Sequence, residues 1–170
     1  PLHFIHSAGI ADPENLDSIS AANLEAHFQI NTIAPTLMVK GLLPLMEKSR
    51  ILFISSGLVD FAIGGLSAYS MSKSALRALQ RSINEELKPD KAICGVLYPS
   101  IFDSPMQTSL REATDFVSAD LFKSYEQEKK LHTASDVASF VKNVLLNTSN
   151  EDFKSKVWDV DNTQHVEVSR

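Results

Sequence analysis

The stretch Arg50-Ile51-Leu52-Phe53-Ile54-Ser55-Ser56-Gly57, followed by Tyr69-Ser70-Met71-Ser72-Lys73, decides how this chain is read. Residues 50–54 form a short apolar, partly β-branched run, which predicts a buried strand ending on two serines. A loop with Gly57, Gly64 and Gly65 follows. Ala75, Leu76, Leu79, Ile83 and Leu87 then recur at helical spacing, which predicts a helix over 68–87. Tyr69 and Lys73 stand one turn apart on one face of it. In an open α/β sheet, ligands bind beyond the carboxyl ends of the strands, so Ser56 and the start of this helix should face one crevice.

A hydroxyl, a phenol and an amine in one crevice suit proton transfer to or from an oxygen whose bond order is changing. A phenol titrating near 10 is a poor acid-base catalyst at neutral pH, and a neighbouring cation favours the phenolate. Lys73 is the cation within reach. Ser56 is placed to hydrogen-bond the same oxygen and hold a carbonyl in line for attack.

Tyr69-x-x-x-Lys73, with Ser56 thirteen positions before the tyrosine, resembles the catalytic signature of the short-chain dehydrogenase/reductases. Within that family the likeness is nearest to the sepiapterin reductase branch. The resemblance implies an α/β, Rossmann-like doubly wound parallel sheet. It also implies an NADP(H)-dependent carbonyl reductase, NAD(H) not excluded, that passes hydride to a ketone or diketone such as a pteridine. Tyr69 would donate the proton, Lys73 would lower its pKa and hold the ribose, and Ser56 would orient the carbonyl with Gly57 beside it. Asn31, on the apolar stripe of the preceding helix, matches a relay-water asparagine; a satisfied structural side chain is the other reading.

The same resemblance assigns flanking residues. His6-Ser7-Ala8-Gly9 is similar to the family's Asn-Asn-Ala-Gly strand end, both asparagines replaced, and Ala8 and Gly9 would border the cofactor; Gly9 otherwise merely starts a loop. Pro99-Ser100-Ile101-Phe102-Asp103-Ser104-Pro105-Met106-Gln107 resembles the loop that closes over the nicotinamide. There Pro99, Phe102, Asp103, Ser104, Met106 and Gln107 would line the cofactor, and Ser100, in place of a glycine, would border substrate. Asp159 or Asp161 matches an aspartate that holds a pterin's amino-pyrimidine edge; solvated strand-end acids are the alternative. The family commonly dimerises through the helix from Asn23 and that from Tyr69, so a homodimer or homotetramer is expected.

The remaining chain is predicted in order. Residues 2–9 read as a strand, 11–20 as a loop, and 23–48 as a helix kinked at Pro35, because proline removes a backbone bond. Residues 92–98 are a buried strand and 100–132 a substrate lid, helical from 108, whose Phe116, Phe122 and Tyr125 either contact substrate or anchor the cover. Ser135-Asp136 is expected to cap the next helix, and 153–161 to form the last strand.

With 170 residues, 44% of them hydrophobic, the chain is expected to build a single domain. A net charge of −5 and the lack of a basic run speak against nucleic acid as a partner. The single cysteine, Cys94, lies in an apolar run and reads as a buried strand residue rather than a nucleophile. The five histidines show no ligand spacing, so no metal is assigned. No stretch is long enough for a membrane span, and no signal-peptide order opens the chain, so a soluble cytoplasmic protein with a small-molecule carbonyl substrate is expected. None of the six glycines forms the glycine-rich phosphate turn of the family, so the chain resembles the carboxyl-terminal part of the doubly wound sheet. A non-catalytic binding or regulatory protein that keeps the fold is the alternative function.

Overall fold

The computed structural model describes residues 1–162 and 166–167. Five strands form one sheet in the order β1 (His3–His6), β2 (Ser49–Ile54), β3 (Ala92–Tyr98), β4 (Lys156–Asp159), β5 (Val166–Glu167). The first four run parallel, and β5 returns antiparallel to β4. Parallel strands with both faces covered are apolar throughout, and β3 is buried at all seven positions. On one face Phe53, Ile51, Cys94 and Ala92 pack with Leu76 and Ile83; on the other Leu52, Ile93 and Leu97 pack with Val144, Leu145 and Phe153. This two-sided layering is the expected Rossmann-like α/β fold.

The helix predicted over 23–48 is broken differently. α1 (Ala21–Phe28) is capped by Ser20, whose hydroxyl accepts from Asn23 N, and α2 spans Ala34–Leu42. Between them Gln29–Ile33 is one π-helical turn, with Pro35 in the first turn of α2. Proline cannot donate to the preceding turn, and the widened turn absorbs that missing bond. Asn31, fully buried, sits in this turn.

α3 (Ser67–Glu86) follows the predicted spacing, burying Ser72, Lys73, Leu76, Gln80 and Ile83. Its polar members work on β3, whose register with β4 begins only at Val96, so the middle of the strand lacks a neighbour there. Gln80 Nε2 and Asn84 Nδ2 donate to Cys94 O, and Cys94 N donates to Asn84 Oδ1. Cys94 is a buried free thiol, pushed up by burial, as the sequence suggests.

The lid comprises α4 (Pro105–Glu112) and α5 (Ala119–Gln127), and α6 (Ala134–Asn147) then crosses the sheet. The cap of α6 is Thr133, just ahead of the expected Ser135-Asp136: its hydroxyl accepts from Asp136 N and donates to Asp136 Oδ2. The carboxyl end of α6 is held by Arg50, which donates to Leu145 O and Thr148 O and lies over the Phe153 ring. Residues 153–155 are helical rather than extended. Ser149 caps α7 (Asn150–Ser155) by accepting from Asp152 N, and this local start overrides the β-branched pattern beyond it.

Candidate active site

The loops at the carboxyl ends of β1, β2 and β3 meet the amino-terminal half of α3. Ser56 caps the short turn Gly57–Val59, its hydroxyl accepting from Leu58 N, and the same hydroxyl lies near enough to the Tyr69 phenol to draw its pKa down. Lys73, 4% exposed, donates from Nζ to Ile54 O at 3.0 Å, and its ammonium lies 5.7 Å from the Tyr69 ring centroid. Ser56, Tyr69 and Lys73 therefore share one crevice.

Burial pushes the Tyr69 phenol above its usual range, outweighing the Ser56 hydroxyl that draws it down. The Lys73 ammonium one turn away donates to the Ile54 carbonyl, and burial is the largest influence on the phenol. Burial also draws Lys73 itself from 10.5 down to about 8. A phenol held protonated is a donor, not a base.

Asn31 makes three hydrogen bonds inside the protein. Its Oδ1 accepts from Ile10 N, and its Nδ2 donates to Ile10 O and to Ser72 Oγ. That clamp fixes the Gly9-Ile10 turn against α3. A Cβ on Gly9 would lie 3.1 Å from Asn31 Oδ1 and 3.3 Å from Lys73 Nζ, so a side chain here would crowd both groups. Ala8 beside it is exposed. Two groups that sequence reasoning passed over belong here. Ser72 lies between the matched residues and joins Tyr69 O to Asn31. His6 is buried, and burial and then the charge of Lys73 lower its pKa. A polar residue ending an apolar strand was the available signal for His6.

The loop after β3 is pinned from below. Ser100 adopts φ +57, the left-handed region a glycine would favour, and its hydroxyl donates to Asp161 Oδ2. Asp161 Oδ1 accepts a hydrogen bond from His132 Nε2 at 2.6 Å, and Asp103 N donates to His132 O. Both ends of the lid thus rest on one carboxylate. Burial would raise its pKa, but the hydrogen bonds from Ser100 and His132 prevail and hold it below the usual range. Asp159 Oδ1 accepts from Asp161 N. Ser104 caps α4, its hydroxyl accepting from Gln107 N, with Pro105 first in the helix and Met106 packed under the lid.

These residues fit a bound nicotinamide. The bare Gly9 backbone lies beside Lys73, two of whose three N–H groups carry no hydrogen bond among the described residues. Gln107 Oε1 is buried with no hydrogen-bond partner among the described residues, as an acceptor kept for a ligand would be. Pro99 and Phe102 lie in the same loop, partly buried. Among the described residues no group of three or more His, Cys, Asp or Glu is placed to hold a metal, and no helix is long and apolar enough to cross a membrane.

The family model described as short chain dehydrogenase matches residues 3–115, and the chain belongs to that family. It is 26% identical over 162 residues to a 3-amino-tetrahydro-pyrrolizinone reductase of Xenorhabdus hominickii, covering 92% of this chain and 56% of that protein. A benzil reductase ((S)-benzoin forming) of Saccharomyces cerevisiae is 32% identical over 119 residues, covering 64% and 44%. The chain thus spans about half the length of the curated relatives it matches. Among solved structures, a short chain dehydrogenase from Burkholderia cenocepacia in complex with NADP superposes with TM-score 0.69 at 25% identity, covering 84% of this chain and 57% of that one. A short chain dehydrogenase/reductase from Saccharomyces cerevisiae superposes at 0.82 over 95% of this chain and 66% of that one, with 20% identity.

Proposed function

We propose that this chain carries the catalytic part of an NADP(H)-dependent carbonyl reductase acting on a ketone or diketone. The observation that carries the reading is the Ser56–Tyr69 hydroxyl pair beside a buried Lys73 in a family of dehydrogenases. The reductase names of the relatives and the NADP of the Burkholderia structure support it.

Tyr69, kept protonated by its surroundings, donates its hydroxyl proton to the substrate oxygen as negative charge develops there. Ser56 donates to the same oxygen and orients the carbonyl. Gly9, Lys73 and Gln107 would hold a nicotinamide, which would supply the hydride. Lys73 would hold the ribose hydroxyls with the N–H groups that carry no hydrogen bond among the described residues. Asn31 Oδ1 and Lys73 Nζ converge beside Gly9, where a water would return a proton to Tyr69.

A pteridine substrate held by Asp159 or Asp161 would first have to release Asp161 from Ser100 and His132. The family's usual pairing through α1–α2 and α3 is part of the proposal: Ile33, Leu37, Met38 and Met71 stay exposed on these helices. Light scattering should show a dimer or tetramer, and a monomer at micromolar concentration would reject this assembly. One buried unpaired cysteine suits a cytoplasmic setting.

In the full-length protein, Tyr69→Phe should lower turnover roughly 10²-fold or more while NADPH fluorescence on binding is unchanged. Retained turnover rejects the assignment. A missing cofactor signal in the unmutated protein would favour a non-catalytic member of the fold.

A further inference from the structure

We propose that Arg77 is a positioning residue: it ties the turn that carries Ser56 to the helix that carries Tyr69, and so sets the direction from which the two hydroxyls meet a substrate carbonyl. This rests on the reductase reading above and adds a residue to it. Tyr69, Lys73 and Arg77 follow one another at intervals of four along α3, so they share one helix face. Lys73 reaches back to Ile54 O at the end of β2. One turn further on, Arg77 Nη1 donates to Asp60 Oδ1 at 2.7 Å and to Tyr98 Oη at 3.0 Å. Asp60 closes the turn that Ser56 opens, its N–H donating to Gly57 O, while Val59 N donates to Ser56 O. Tyr98 is the last residue of β3, immediately ahead of the loop from Pro99. A single guanidinium thus joins α3, the Ser56 turn and the root of the loop after β3.

Stability alone does not account for this arrangement. The Arg77 side chain is 18% exposed and its Nε is buried with no hydrogen-bond partner among the described residues, so one donor has lost its water with nothing in exchange. The Asp60 side chain is 56% exposed, and an ion pair so open to solvent adds little to a fold. What the contact does fix is direction. Val59 rests on the cluster of Val96, Tyr98 and Val157, which sets the depth of the turn against the sheet and leaves its far end to Asp60. Ser56 Oγ accepts from Leu58 N inside the same turn, so a turn that swings carries the hydroxyl with it. A misplacement of about 1 Å at a reacting group is enough to cost roughly 10²-fold in rate.

The test is a double-mutant cycle in the full-length protein, with NADPH and the diketone benzil as substrates and single-turnover mixing to keep slow variants measurable. Arg77→Met, and Asp60→Ala at its more exposed partner, should each lower the rate of reduction roughly tenfold, with NADPH affinity by fluorescence changed less than about twofold. Asp60→Asn keeps an acceptor facing Arg77 and should recover most of the parent rate. In a Ser56→Ala background, Arg77→Met and Asp60→Ala should cost less than about twofold, because the hydroxyl they aim is gone. A full tenfold loss in that background, or no loss when Ser56 is present, overturns the proposal. Exchange of the Val59 and Asp60 amides, followed by NMR, should speed up several-fold in both variants. Unchanged exchange overturns the tie whether or not the parent turns over. A parent that reduces no ketone while its turn loosens in both variants sinks the reductase reading and leaves the tie standing.

Discussion

The buried ammonium of Lys73 should make the stability of this protein rise with pH in a window where most proteins lose stability. Burial lowers its pKa from 10.5 to about 8, and the side chain is 4% exposed, so solvent screening is slight. A tenfold change in proton affinity is worth about 1.4 kcal/mol, so the charged form costs the folded state about 3 kcal/mol at neutral pH. The sign follows from proton counts. Between about 8 and 10.5 the unfolded chain still holds a proton that the folded chain has released, so raising the pH stabilises the fold. Below 8 the cost is fully present, and above 10.5 it is gone. Cys94, Tyr98 and Tyr69, all raised by burial, work in the opposite direction, since their folded forms keep protons that the unfolded chain loses. The measurement is therefore the difference between the parent and Lys73→Met, in which those three contributions largely cancel. Urea unfolding from pH 7 to 11 should show the parent gaining about 3 kcal/mol on the variant, most of it between about 8 and 10.5. Parallel stability curves for the two proteins would refute a buried, charged Lys73.

Gly95→Ala should destabilise the fold by about 2 kcal/mol or more in the same unfolding assay, because its Cβ would lie 2.8 Å from Phe153 O, a backbone atom of α7 that cannot step aside. An unchanged midpoint would mean that α7 does not rest on β3. Asp161→Ala removes the one carboxylate under both ends of the lid, so KM for ketone and cofactor should rise several-fold with kcat less affected, and proteolysis within 100–132 should speed up. A purely solvated Asp161 would leave both readouts where they were.

Local patterning carried much of the fold. The apolar runs at 50–54 and 92–98 and the helical spacing after Tyr69 became β2, β3 and α3, because buried strands and an amphipathic helix each impose a short period on neighbouring residues. Pro35 announced a break in the first long helix, but not that a π turn with Asn31 inside would absorb it. Phe153 read as strand and folds as helix, since Ser149 and Asp152 set a cap three residues apart that outweighs the valine and tryptophan beyond. The Ser56, Tyr69 and Lys73 trio was legible for the same reason as the helix: a strand end and a helix start bring them together by chain geometry alone. What pins the lid was not. Asn15 meets Asp115 a hundred residues away, and Ser100 meets Asp161 sixty-one away, separations over which sequence spacing holds no information about contact. Whether the Tyr69 phenol is made more or less acidic belongs to the tertiary structure too. Spacing puts a cation one turn from the phenol, but only the packed lid shows that the ammonium turns to Ile54 O while apolar side chains strip the phenol of water, so desolvation is the largest influence on it.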